Sequence, residues 1–252
     1  MIKRFIFLIL FFPLFFSFYA RAQDVSVLLE QGAAYEKAFN DKDALAKYAE
    51  VLKKEPGNLI ALCKVSQLYG VLGKRLSSKE QQREYYKRAL SYAQLAMKVG
   101  PNNAEANFSI AISKGRIALI SSNEEKVKAI REIKSYAEKC IQVDPSNFKG
   151  YHLLGKWYYE VSDLNTIEKW LVKMMYGSLP QASLEQSIKY YEKSKQLNPG
   201  FVLNYLELAK AYKRNDEADK AKKLLQQMQS LPPSSSDDIK IKEMGKKMLD
   251  DL

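Results

Sequence analysis

One histidine, His152, and two cysteines, Cys63 and Cys140, stand in 252 residues. Zinc sites gather several His, Cys or carboxylate ligands at close spacing. Neither HExxH nor CxxC occurs, so no metal is expected, and two cysteines cannot staple a miniature fold. No GxGxxG and no GxxxxGK[ST] occurs, so a nucleotide phosphate loop is absent by motif and no cofactor is expected. GxSxG is missing too, and a Ser-His-Asp triad would have to be built on His152 alone. The paired carboxylates Asp237-Asp238 and Asp250-Asp251 sit near the C-terminus, where helix capping and solvation explain them. An enzyme is therefore not expected.

Cations outnumber anions. The 40 Lys and Arg against 29 Asp and Glu give a net charge of +11. The chain opens MIKRFIFLILFFPLFFSFYARAQ, with a basic head at Lys3 and Arg4 and an apolar run from Phe5 to Tyr19. Ala20-Arg21-Ala22 then has the small-x-small pattern that a signal peptidase reads. The run is short against the ~20 residues of a spanning helix. The expectation is a signal peptide over residues 1–22, cleavage after Ala22, and a protein exported to the periplasm or secreted. An uncleaved N-terminal anchor is the alternative. Cleavage leaves 37 Lys and Arg against 29 acids, a net +8. An exported basic protein rarely meets nucleic acid, so none is expected. An acidic peptide or protein, or an anionic lipid or membrane surface, fits the charge.

Repeats organise the remainder. With Val202 as position 1, Tyr205, Leu208, Ala209, Tyr212, Ala221, Leu225, Met228 and Pro233 fall at positions 4, 7, 8, 11, 20, 24, 27 and 32. Small residues at 8 and 20 let two helices approach, large ones fill the space between neighbours, and proline ends the second helix. From Val25 the same frame holds Gly32, Tyr35, Ala44, Tyr48 and Pro56. This is the tetratricopeptide pattern of about 34 residues. Pro101, Pro145 and Pro199 close further helices, giving units at 25–58, 59–103, 104–147, 148–201 and 202–235. The middle three are longer by 11, 10 and 20 residues. Ser78, Ser122 and Ser183, each three residues before Gln or Glu, should restart the second helix. The excess should lengthen helices in units 2 and 3 and form an excursion in unit 4. Residues 236–252 read as a capping helix. The predicted fold is an all-α solenoid of five helix-turn-helix units plus that helix.

Part of the chain resembles a known family. Gly155-Lys156-Trp157, Val161-Ser162-x-Leu164, Ile167-Glu168-Lys169 and Leu197-x-Pro199-Gly200-Phe201, followed by Asn204-Tyr205, are similar to the regulator of microtubule dynamics family, over roughly residues 104–250. The resemblance implies a helical scaffold without catalytic residues, associated with microtubules, membrane contact sites and, in some members, lipids. The export signal sets this chain apart as a bacterial-type member, because an exported protein does not reach cytoplasmic microtubules.

Ligands of tetratricopeptide solenoids usually lie against positions 2, 5, 9, 12 and 13 of each first helix. Phe108, Ile112 and Arg116 stand there in unit 3, Lys149, His152, Lys156 and Tyr159 in unit 4, and Lys210, Lys213 and Arg214 in unit 5. An apolar floor beside a basic end suits an amphipathic anion; the bland reading is a solvated charged face. His152 is expected as a polar residue on a helix face. Cys63 and Cys140 belong to elements that need not touch, so both are expected as free thiols. The expected function is a non-catalytic interaction scaffold gripping a protein or peptide in a concave groove, with lipid or amphiphile binding in the same groove as the alternative.

Overall fold

The computed structural model describes residues 12–252, with side chains from residue 24. The signal peptide and cleavage point read at residues 1–22 lie outside the described side chains. Among the described residues there are twelve α-helices and no strand. Unit 1 pairs α1 (Phe12–Lys37) with α2 (Asp41–Lys54), and unit 2 pairs α3 (Leu59–Lys74) with α4 (Lys79–Val99). Unit 3 pairs α5 (Ala104–Leu119) with α6 (Asn123–Val143). In unit 4, α7 (Phe148–Val161) and α9 (Leu184–Leu197) flank an inserted α8 (Thr166–Tyr176). Unit 5 is α10 (Val202–Arg214) with α11 (Ala218–Ser230), and α12 (Asp238–Asp250) follows. No helix among the described residues is long and apolar enough to cross a membrane.

The helix ends follow from local chemistry. The side chains of Ser78, Ser122 and Ser183 accept from the backbone N–H three residues on. Only Ser122 completes the reciprocal box, with Glu125; a second complete box, Asn165 with Glu168, opens the excursion helix α8. Asn58, Asn103 and Asn147 cap α3, α5 and α7 in the same way. Each stands two residues after a proline, so Pro-x-Asn ends one helix and starts the next. In Pro199-Gly200-Phe201 the cap is apolar, and Phe201 makes no side-chain cap. Its ring instead packs edge-on against Phe148 and His152.

Small residues mark the close crossings. Ala44, Ala89, Ala137, Ala209 and Ala221 are fully buried. A Cβ on Gly155 would come within 2.7 Å of the Tyr191 ring, and one on Gly32 within 2.8 Å of Tyr48. Tyr158 and Tyr212 are core residues, and Tyr158 stacks on Tyr190 with ring centroids 5.1 Å apart. Helix α8 rides on α6. Lys126 pairs with Glu168, Arg131 lies over the Tyr176 ring, and Val172 joins the core around Trp157. Its outer face leaves Ile167, Trp170 and Met174 exposed. Helix α12 covers the last unit through Ile241 and through Gly245, which lies against Met228.

The winding of the units returns the chain to its beginning. In the link before α12, Asp237 accepts from Arg75 Nε at 2.7 Å, and Ser236 donates to Asp41 at 2.6 Å. Arg75 also donates to Asp41 and to the Ser236 hydroxyl.

Candidate functional site

The first helices of the units, α1, α3, α5, α7 and α10, carry the groove residues expected from the repeat register. A half-buried carboxylate joins three of these helices. Glu105 on α5 accepts from Lys149 at 2.6 Å, from Gln67 at 2.8 Å and from Asn147 at 2.9 Å. Burial alone would raise its pKa, but Lys149 and these bonds hold it below the ordinary range. The Lys149 ammonium also lies 4.9 Å from the centre of the Phe108 ring.

A second hub joins α7 to α10. Glu207 is buried and accepts from Lys156 at 2.8 Å and from Lys210 at 2.6 Å. Burial opposes its charge, yet the two lysines bring its pKa down to about 2. Lys156 also pairs with Glu160 at 2.9 Å. Burial works against its proton, but the two carboxylates raise its pKa all the same. Arg214 donates to the Tyr159 carbonyl at 3.0 Å, pairs with Asp163 at 3.2 Å and lies over the Tyr159 ring.

The polarised basic end expected from the sequence is therefore largely neutralised. Lys149, Lys156, Lys210 and Arg214 all have acidic partners, while Lys213 stays exposed. His152 departs from the expected polar face as well. Its ring is enclosed by Tyr191 and Phe201, and Nδ1 lies 2.9 Å from Asn204 Oδ1. The Asn204 amide nitrogen already donates to the Tyr191 carbonyl, so Oδ1 is the acceptor and Nδ1 carries the hydrogen. Burial lowers the His152 pKa.

Arg116 differs from the other cations. Its guanidinium crosses from α5 to lie against Gly70 of α3, where a Cβ would come within 1.5 Å of Nη1. Nη1 is buried with no hydrogen-bond partner. Burial lowers the Arg116 pKa to about 10. Beside it, Ile112, Ile130, Ile133, Leu153, Trp157 and Val161 line a cleft of about 110 Å³ between α5, α6 and α7. Small-molecule pockets usually measure about 300–1,000 Å³, so this space is that of a single apolar side chain. The Trp157 indole nitrogen is satisfied by the Ile130 carbonyl at 2.8 Å.

Glu207 and Trp157 escaped the groove reading. Glu207 sits at position 6, outside the expected ligand-facing set, although its i,i+3 spacing to Lys210 signalled an ion pair. Cys63 and Cys140 are buried free thiols, and burial raises their pKa values to about 11 and about 12. Among the described residues no group of His, Cys, Asp and Glu is arranged to hold a metal ion.

Stacked antiparallel helix pairs define the class: a tetratricopeptide-type α-solenoid, a fold that fits a protein-interaction scaffold. TTC0263, a tetratricopeptide protein of Thermus thermophilus, superposes with a TM-score of 0.68 at 13% identity, over 89% of this chain and 98% of its own. The family model described as "Regulator of microtubule dynamics protein 1-3" matches residues 27–252, and the chain belongs to that family. The likeness read at residues 104–250 thus extends through the N-terminal units. Regulator of microtubule dynamics protein 1 of Mus musculus is 24% identical over 93% of this chain and 76% of its own length. Protein 3 of Rattus norvegicus is 23% identical over 86% of this chain. The chain spans about half the length of that relative, 46%. These relatives are named as regulators, not as enzymes.

Proposed function

We propose that this chain is a non-catalytic scaffold whose groove grips a peptide segment of a partner protein. An apolar side chain of that segment enters the cleft between Ile112, Leu153 and Trp157, and an adjacent carboxylate meets Arg116. The observation that carries this reading is the buried, unpartnered Arg116 Nη1 beside an almost wholly apolar cleft. An unpaired buried donor is costly, and a carboxylate is its best complement. The cleft volume favours one side chain over a lipid tail. The leader-like opening supports a place of work outside the cytoplasm, in the periplasm or beyond the cell.

A photo-crosslinking residue at Ile112 tests the groove in cells. It should capture a discrete protein partner, and Arg116→Ala should abolish the adduct while leaving the helical content intact. Absence of any adduct at Ile112 would overturn the reading. A lipid retained in native mass spectrometry would establish the amphiphile alternative instead. N-terminal sequencing of the same preparation should start at Gln23, and a full-length, membrane-bound chain would restore the anchor reading instead.

A further inference from the structure

In the link between α11 and α12, Leu231-Pro232-Pro233-Ser234-Ser235-Ser236-Asp237, Ser236 and Asp237 bond residues more than 150 positions away. Its Ser236 and Asp237 meet the C-terminal end of α3, where Arg75 holds Asp237 through Nε and Lys74 reaches the same carboxylate at 3.4 Å. Arg116 lies against Gly70, one helical turn before Lys74. Lys74 and Arg75 therefore form a cationic end of α3 that Ser236 and Asp237 of the same chain occupy, with Asp41 beside them. A guanidinium forked between carboxylate and hydroxyl oxygens is how arginine reads an acidic peptide.

The segment is built to lift. It has no regular structure, and two prolines precede the serines. Helix α12 is anchored separately, by Ile241 in the core of the last unit and by Gln229 donating to the Lys242 carbonyl at 3.0 Å. Ser234 and Ser235 bond to Asp238 at the start of α12, and Ser234 also reaches the Gly200 carbonyl, so the link's bonds to the N-terminal units are those of Ser236 and Asp237. Lys74 and Arg75 are exposed, so water competes for these bonds.

We infer that Ser236 and Asp237 are a tethered occupant of a site formed by Lys74 and Arg75, and that this site takes an acidic peptide segment of a partner when the tether lifts. The inference rests on the groove reading above, since Gly70, against which Arg116 lies, is one turn before Lys74 on the same helix. It adds which chemistry the partner brings and what it must displace.

The probe is a fluorescent peptide carrying residues 234–239 of this chain, SSSDDI, titrated by anisotropy into the full chain. The tether presents its own copy at an effective concentration on the order of mM. The wild type should therefore bind the free peptide weakly. Ser236→Ala with Asp237→Ala should bind it at least tenfold more tightly, with an affinity that falls as salt rises. Adding Lys74→Glu and Arg75→Glu should abolish that gain. Hydrogen exchange should quicken in the 231–237 link of the double variant while α12 keeps its protection, which separates lifting from unfolding. Equal binding by wild type and double variant, or binding that survives the charge reversal, overturns the inference. Crosslinking at Ile112 that persists alongside such a failure would leave the groove reading standing and sink the tether alone.

Discussion

Replacing Glu207 with Gln tests the α7–α10 hub with its own internal control. The side chain is 9% exposed and sits between Lys156 and Lys210. Glutamine keeps its size but removes the charge, leaving Lys156 to Glu160 and Lys210 without its carboxylate partner. The wild-type carboxyl is held at about 2, against 4.5 for an unperturbed glutamate. At about 1.4 kcal/mol per pKa unit, the charged form is worth about 3 kcal/mol to the fold at pH 7. The sign follows from the depressed value. The contribution is complete above the unfolded pKa and is lost as pH falls through the folded one, so the window runs from 4.5 down to about 2. At pH 3 less than half of it should remain. Urea unfolding of both chains, followed by far-UV circular dichroism at pH 7, 5 and 3, measures the gap directly. Other carboxylates titrate in both proteins and cancel in the difference. A gap that stays constant from pH 7 to 3 would show that packing, not charge, accounts for the loss. No gap at pH 7 would show that Glu207 is not paired as described.

Gly155→Ala should cost about 1–2 kcal/mol, because its Cβ meets the fully buried Tyr191 ring at 2.7 Å and the gain in helix propensity offsets only about 1 kcal/mol of the overpacking. Gly115→Ala, with nothing within 4 Å of its Cβ, should instead stabilise by about 0.5–1 kcal/mol; the reverse order in thermal melting would refute the unit 3 and unit 4 packing. Ala221→Leu, at a fully buried contact of α11, should lower stability by about 1–3 kcal/mol, and an unchanged melting curve would contradict the register of unit 5. Cys63 and Cys140, with thiols pushed up to about 11 and about 12 by burial, should resist iodoacetamide at pH 8 in the native protein and react in denaturant. Rapid native labelling of either would place that cysteine at the surface.

What the sequence by itself determined was whatever depends on neighbours a few residues apart. Proline two residues past a helix, asparagine or serine before the next, and apolar side chains at helical spacing act through bonds that close within one turn. The order of helices, the longer helices of units 2 and 3, the excursion of unit 4 and the final cap were legible for that reason. The candidate groove was legible only as a set of positions. The same register that put Lys149, Lys156, Lys210 and Arg214 on the first helices gave no account of Glu105 and Glu207 as the hubs that neutralise them. It also could not show that Arg116 would end against Gly70 with an unpaired nitrogen, or that His152 would be enclosed. Those outcomes depend on the angle between successive units, which accumulates over the solenoid. Small differences in packing at each crossing decide where a side chain of one unit meets the next, and where residue 237 returns to residue 75. Only the tertiary structure decided which charges found partners and that Arg116 Nη1 was left without one, because that angle is set by all the interfaces together and by no single stretch of sequence.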